Sequence, residues 1–270
     1  MKSEFIAPLA SSAPCPHPPR LFPPVWCIQH CRREPGDPEQ LHPEERKLVA
    51  AAARRRQEDF AAGRDCARRA LAGLGVASAV IGKDPAGVPR WPPGITGSIS
   101  HCPGRAIAVV APSDRVLALG VDVECCQKPF SGESLALIST PVELGWLARA
   151  PEAQRQREAY ARFSAKESVF KCCFVALGWQ PDWHDVTVRL ELARSRFSAL
   201  VRMAGEVLLF GHGHLGFEPG YVYSGVWLPA VAAATLSVAD GCASTVTNRN
   251  RGSLVVEPRY ADVASISKRP

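Results

Sequence analysis

Residues 116–124 read VLALGVDVE, and this stretch decides the fold class. Leu117, Leu119, Val121 and Val123 alternate along it, the period of a strand that lays one face on a core. Asp122 and Glu124 fall together on the other face. Two carboxylates that close repel, and one takes up a proton unless a cation shares the site. A hard divalent cation with oxygen ligands answers that need. On spacing alone, a strand with one solvated face answers it equally well.

Working outward, Ile107 and Val109 belong to an apolar run that follows the turn Pro103-Gly104. Further upstream, Pro43-Glu44-Glu45 has the form of a helix start, with proline in the first turn and acids at the positive end of the dipole. That helix is expected to run towards Ala62 and stop near Gly63. A second is expected from Arg64 to Leu74, stopped by Gly75. Downstream, Pro151 opens a helical region that ends at Gly178. In it Phe163, Phe170, Phe174 and Leu177 recur at helical spacing, as a core-facing stripe would. Beyond residue 184, short runs of Val, Leu and Phe between glycines predict antiparallel strands. Helices followed by strands, twice over, predict an α+β protein of two halves. No residue-level repeat between the halves stands out. The folded body is expected over 25–240, with lobes at about 25–125 and 126–240. A flexible Pro-rich stretch over 1–24 precedes it, and a loose tail over 241–270 follows.

The 270 residues carry a net charge of +6, a modest positive field that suits an anionic substrate or an acidic protein partner. With aromatics at 7% and neither a zinc-finger nor an RNP signature, nucleic acid is not an expected ligand. Residues 1–20 lack the apolar core of a secretory signal. The closest approach to a membrane span, Gly225 to Ala239, is broken by Pro229, so no membrane association is expected. Ten cysteines, including the adjacent pairs Cys125–Cys126 and Cys172–Cys173, do not form a disulfide framework. Reduced thiols and a cytoplasmic location are expected. Cys27, His30 and Cys31 lack the second ligand pair of a zinc site.

A third acid lies in FSAKESVFK (163–171). Glu167 and Lys171 are four residues apart on one helix face. The pair has the form of a surface ion pair. Set beside Asp122 and Glu124, it also has the form of a phosphoryl-transfer set, with acids for a metal and lysine for phosphate oxygens. His101 follows Ser98-Ile99-Ser100 at a strand end, where small residues let a phosphate come close.

GSISHC (97–102), GVDVE (120–124) and FSAKESVFK (163–171), in that order, resemble the 4'-phosphopantetheinyl transferase superfamily. RRRQEDFAAGRDCARRAL (54–71) and GKDPAGVPRWPPGITGSISHC (82–102) extend the resemblance to roughly 45–180. It is nearest to the pseudo-dimeric group, and within that to the enterobactin-synthase-associated type. The resemblance implies a monomer of two similar α/β halves with the site between them. It implies Mg2+-dependent transfer of 4'-phosphopantetheine from coenzyme A to a serine of an acyl or peptidyl carrier protein. By the same resemblance Asp122, Glu124 and Glu167 are the Mg2+ ligands, and Glu167 is the base for the serine hydroxyl, directly or through water. Lys171 contacts the pyrophosphate, and Lys166 lies near the same phosphates. Ser100 and His101 hold the coenzyme A phosphates, while Arg56, Arg64 and Lys83 surround the 3'-phosphate and adenine. One departure is Gly225-Val226-Trp227, where the family often has Gly-Arg-Trp. Two rivals remain. A Mg2+-dependent pyrophosphate hydrolase would carry more carboxylates on one helix, and a non-catalytic coenzyme A or carrier-binding module would not need the acids and Lys171 intact.

Overall fold

The computed structural model describes residues 19–76, 79–203 and 206–230, and beyond them the strands Leu236–Ser237, Ala243–Arg249 and Ser253–Pro258. Two antiparallel sheets organise it. The first contains β1 (Ile28–Arg32), β2 (Ile95–Cys102) and β3 (Arg105–Pro112) in the order β1-β3-β2. The second contains β4 (Val116–Cys125), β5 (Val186–Glu191), β6 (Arg196–Met203), β7 (Glu206–Glu218) and β8 (Tyr221–Pro229) in the order β4-β8-β7-β6-β5.

Each sheet is served by one long helix. From α2 (Arg54–Gly73), Ala62, Cys66, Ala67, Ala70 and Leu71 pack on Ala106, Ala108 and Val110 of β3. From α5 (Glu152–Leu177), Ala161, Ala165, Val169 and Cys172 pack on the second sheet. The short helix α1 (Pro43–Lys47) precedes α2, and α3 (Gly132–Ile138) and α4 (Pro141–Arg149) precede α5. In both halves the first strand pairs with the last, β1 with β3 and β4 with β8, and the long helix falls between them in the chain. This is the α+β architecture of two similar α/β halves expected from the sequence. By sheet membership the chain passes from one half to the other at the turn 113–115, before β4, rather than near 125.

β4 is covered on both faces. Leu119, Val121 and Val123 are fully buried with Ile107 and Val109 of β3, as their alternation predicts. Each such side chain contributes about 1.5–3 kcal/mol by leaving water. The other face is not solvated, because α5 lies directly on it. A Cβ placed on Gly120 would overlap the backbone oxygen of Ser168.

Several expectations change. Gly63 does not stop a helix; α2 runs through it. Its lack of a side chain serves the sheet contact, since a Cβ there would meet Ile99 Cγ2 at 2.9 Å. The break comes earlier, between α1 and α2, whereas Gly75 (φ +77°) and the cap Gly178 (φ +64°) sit where stops are expected. The stretch 19–24 is not a loose lead-in. Leu21 and Phe22 are buried, and the Phe22 ring fills the space over Gly225. Val226, in the place of the family arginine, is fully buried opposite Gly120. Within the expected tail, 243–249 and 253–258 pair as antiparallel strands. Residues 1–18 lie outside the described residues.

Candidate active site

The seam between the halves brings β2, β4 and α5 together, and Asp122 lies at its centre, 2% exposed. The Ser100 hydroxyl on β2 donates to Asp122 Oδ1 at 2.8 Å. Lys171 Nζ on α5 donates to the same oxygen at 2.7 Å, to Ser100 Oγ at 3.1 Å and to the Val121 carbonyl at 3.1 Å. The close seating of α5 on Gly120 is what lets an α5 amine reach a β4 carbonyl. Lys171 therefore spends its ion pair on Asp122 instead of closing an i,i+4 pair with Glu167. Asp122 Oδ2 is buried and has no hydrogen-bond partner.

Glu124 and Glu167 line the same cleft as Asp122 and Lys171. Burial, and next the charge of Asp122, push the Glu124 carboxyl up to about 8, against the pull of Lys171. The same two causes, in the same order, raise Glu167. Among the described residues, no three Asp, Glu, His or Cys side chains close round a single point as a complete metal cage. The donor set still fits Mg2+, which is usually held by one or two carboxylates together with substrate phosphates and water. An orphaned carboxylate oxygen beside two acids that resist ionising is a position a divalent cation would relieve.

The cleft encloses about 500 Å³ and is lined also by the cations Arg64 and Lys83. Arg64 is buried, lies 4.3 Å above the Phe60 ring, and donates to the carbonyls of Ile81 (2.8 Å) and Gly82 (3.4 Å). Burial lowers its pKa to about 10. Lys83 lies 5.0 Å from the same ring, and burial followed by the charges of Arg64 and Arg56 lowers its pKa. Arg56 stands at the exposed edge and donates to His101 Nε2 at 3.1 Å. Burial, with Arg56 and Lys171 adding to it, lowers the His101 pKa to about 4, so the ring is the neutral acceptor of that bond.

Lys166 is the one sequence-assigned residue that the fold takes elsewhere. Residues step about 100° round a helix, so Lys166 and Lys171 cannot share a face. Lys166 is 1% exposed, pairs with Glu143 at 2.7 Å, and donates to the carbonyls of Ile138 and Trp183 at 2.8 Å each. It supports the fold behind the cleft and does not reach phosphate there. The expected core stripe also divides: Phe170 and Phe174 form an apolar wall of the cleft. Phe60 is a further residue of the cleft, and its place one helical turn before Arg64 is the sequence signal that sets the two side by side.

The model of the 4'-phosphopantetheinyl transferase N-terminal domain matches residues 44–111, and that of the 4'-phosphopantetheinyl transferase superfamily matches residues 118–213. Their junction coincides with the turn between β3 and β4. The 4'-phosphopantetheinyl transferase Svp of Streptomyces mobaraensis is 33% identical over 241 residues, spanning 84% of this chain and 96% of that protein. Npt of Nocardia iowensis, a 4'-phosphopantetheinyl transferase, is 33% identical over 196 residues, 72% of this chain and 87% of that one. Enterobactin synthase component D of Salmonella typhi is 36% identical over 123 residues, 46% of this chain and 50% of that protein. The matches run through both sheets and the seam that holds Asp122, and the chain belongs to the 4'-phosphopantetheinyl transferase superfamily.

Proposed function

We propose that this chain, acting as a monomer with Mg2+, moves 4'-phosphopantetheine from coenzyme A to a serine of an acyl or peptidyl carrier protein. The observation that carries this reading is the charged lining of the cleft. A buried, half-satisfied Asp122 lines it with Glu124, Glu167 and Lys171, and so do the cations Arg64 and Lys83, with Arg56 bonded to the lining residue His101. Coenzyme A has a matching pair of anionic centres, a pyrophosphate and a 3'-phosphate.

In the reaction the serine oxygen bonds to the phosphorus that carries pantetheine, and the bond from that phosphorus to the nucleotide phosphate oxygen breaks. Asp122, Glu124 and Glu167 would hold Mg2+, which when bound neutralises charge gathering on the pyrophosphate oxygens. Lys171 adds fixed positive charge on the same wall. Glu167, whose pKa burial raises, takes the serine proton directly or through water. Phe170 and Phe174 shield that wall from water, and Arg64, Lys83 and Arg56 bind the 3'-phosphate end. The positive chain draws in a carrier that is acidic around its serine.

The test is intact-mass spectrometry of a purified apo carrier after incubation with the protein, coenzyme A and Mg2+, with and without chelator. Addition of one phosphopantetheinyl group that stops with chelator is the expected result. Coenzyme A consumed with no carrier labelled would replace this reading with pyrophosphate hydrolysis. Binding without turnover would replace it with a non-catalytic module.

A further inference from the structure

The two halves share more than topology. Shifting the sequence by 98 residues lays His42-Pro43-Glu44-Glu45 on Thr140-Pro141-Val142-Glu143, and Arg64 to Arg68 on Arg162 to Lys166. The buried positions coincide in this register: Ala61 with Ala159, Cys66 with Ser164, Ala67 with Ala165, and Leu71 with Val169. A sparse residue-level repeat therefore exists, although none was visible before the fold aligned it.

Its centre is a buried acid used the same way twice. Glu45 and Glu143 are both fully buried. Each closes a capping box at the third position of a helix, with His42 on α1 and Thr140 on α4. Each pairs with a cation 23 residues on: Arg68 at 2.8 Å, Lys166 at 2.7 Å. With its other oxygen each accepts one backbone N–H from the chain beyond the long helix, from Ile81 at 2.8 Å and from Val188 at 2.7 Å. The halves differ in what that N–H carries. In the second half it belongs to Val188, a buried residue inside β5. In the first, the Ile81 carbonyl is held by Arg64, and the chain continues into Lys83 and a tight hairpin closed by Gly87 N–H to the Asp84 carbonyl. Arg64, Lys83 and Gly87 all line the cleft.

We propose that Glu45 is a positioning residue for the nucleotide end of the substrate. By holding the Ile81 N–H while Arg64 holds the Ile81 carbonyl in the next peptide group, it keeps Lys83 and Arg64 at the spacing an anionic 3'-phosphate requires. Glu143 is its structural twin and has no part in binding. The inference rests on the coenzyme A reading of the cleft.

The test measures coenzyme A and 3'-dephospho-coenzyme A binding by calorimetry, and KM and kcat of transfer, for the wild type, Glu45→Gln and Glu143→Gln. Loss of a charged buried hydrogen bond predicts coenzyme A binding about tenfold weaker in Glu45→Gln. Its KM should rise in step, kcat should hold, and the preference for coenzyme A over the dephospho form should narrow. Glu143→Gln should lower thermal stability and leave that preference intact. If Glu45→Gln does not fold, Glu45→Asp, which keeps the charge and withdraws the oxygens by one methylene, carries the same comparison. Unchanged binding in a folded Glu45 variant, or an equal loss in Glu143→Gln, would overturn the inference. A wild type that binds neither form would instead overturn the coenzyme A reading.

Discussion

Two lysines five residues apart on one helix have opposite employment, and substitution should separate them. Lys166→Met strands a buried Glu143 carboxylate, a loss of roughly 3–5 kcal/mol of stability. Whatever folds should turn over normally. Lys171→Met removes charge from the reacting end and should cut kcat by roughly 10²–10³-fold, and because it leaves buried Asp122 with the Ser100 hydroxyl alone it too should lower the melting temperature. Thermal melts with single-turnover rates decide it, and a Lys166 variant that is stable but inactive would return Lys166 to the phosphate site. His101 gives a pH signature. Its pKa in the folded protein is about 4, below the ordinary 6.5, so the unfolded chain binds more protons between those values. The stability that depends on a neutral His101 is complete above pH 6.5 and is lost as pH falls towards 4. Melting temperature against pH should show this acid limb, and His101→Gln should flatten it; an unaltered limb would assign it to other groups. Residue types in sequence made the Asp122, Glu124, Glu167 and Lys171 group legible. They left Lys166 ambiguous, because the lysine beside Glu167 is a neighbour along the chain and not on the helix face.

At the scale of elements, two local signals mark their structures. The alternation over 117–124 marks β4, and Gly178 with a positive φ ends α5. Two other glycines depend on distant partners. Gly63 has the local form of a stop, yet its purpose is the approach of Ile99. Gly120 is the sharper case, because the seating of α5 on β4 leaves no volume for a side chain. Gly120→Ala should force α5 off the strand, costing on the order of 3 kcal/mol or more and unseating Lys171 from Asp122. Near-normal melting and turnover in that variant would refute the close seating. The 98-residue repeat is faint in the sequence for a related reason. Its shared residues are few, and only their common burial marks them.

At the scale of the whole molecule, the surplus positive charge predicts that the KM for an acidic carrier rises with ionic strength while kcat holds, since exposed charges are screened beyond about 8 Å in physiological salt. A flat salt profile would place recognition in apolar contacts instead. The pairing of β4 with β8 has a different consequence, one for synthesis. A ribosome delivers Asp122 about a hundred residues before the strand that flanks it at Ser224. The first sheet has all its strands by residue 112 and can form early; the second waits for the chain's later part, because β4 pairs with β8. A chain ended at residue 220 would retain every acid and base of the cleft and still lack β8. It should emerge with its first half ordered and its chemistry absent, which limited proteolysis of stalled chains would reveal. Competence in this enzyme is therefore acquired late, with the arrival of a strand that contributes no reacting group.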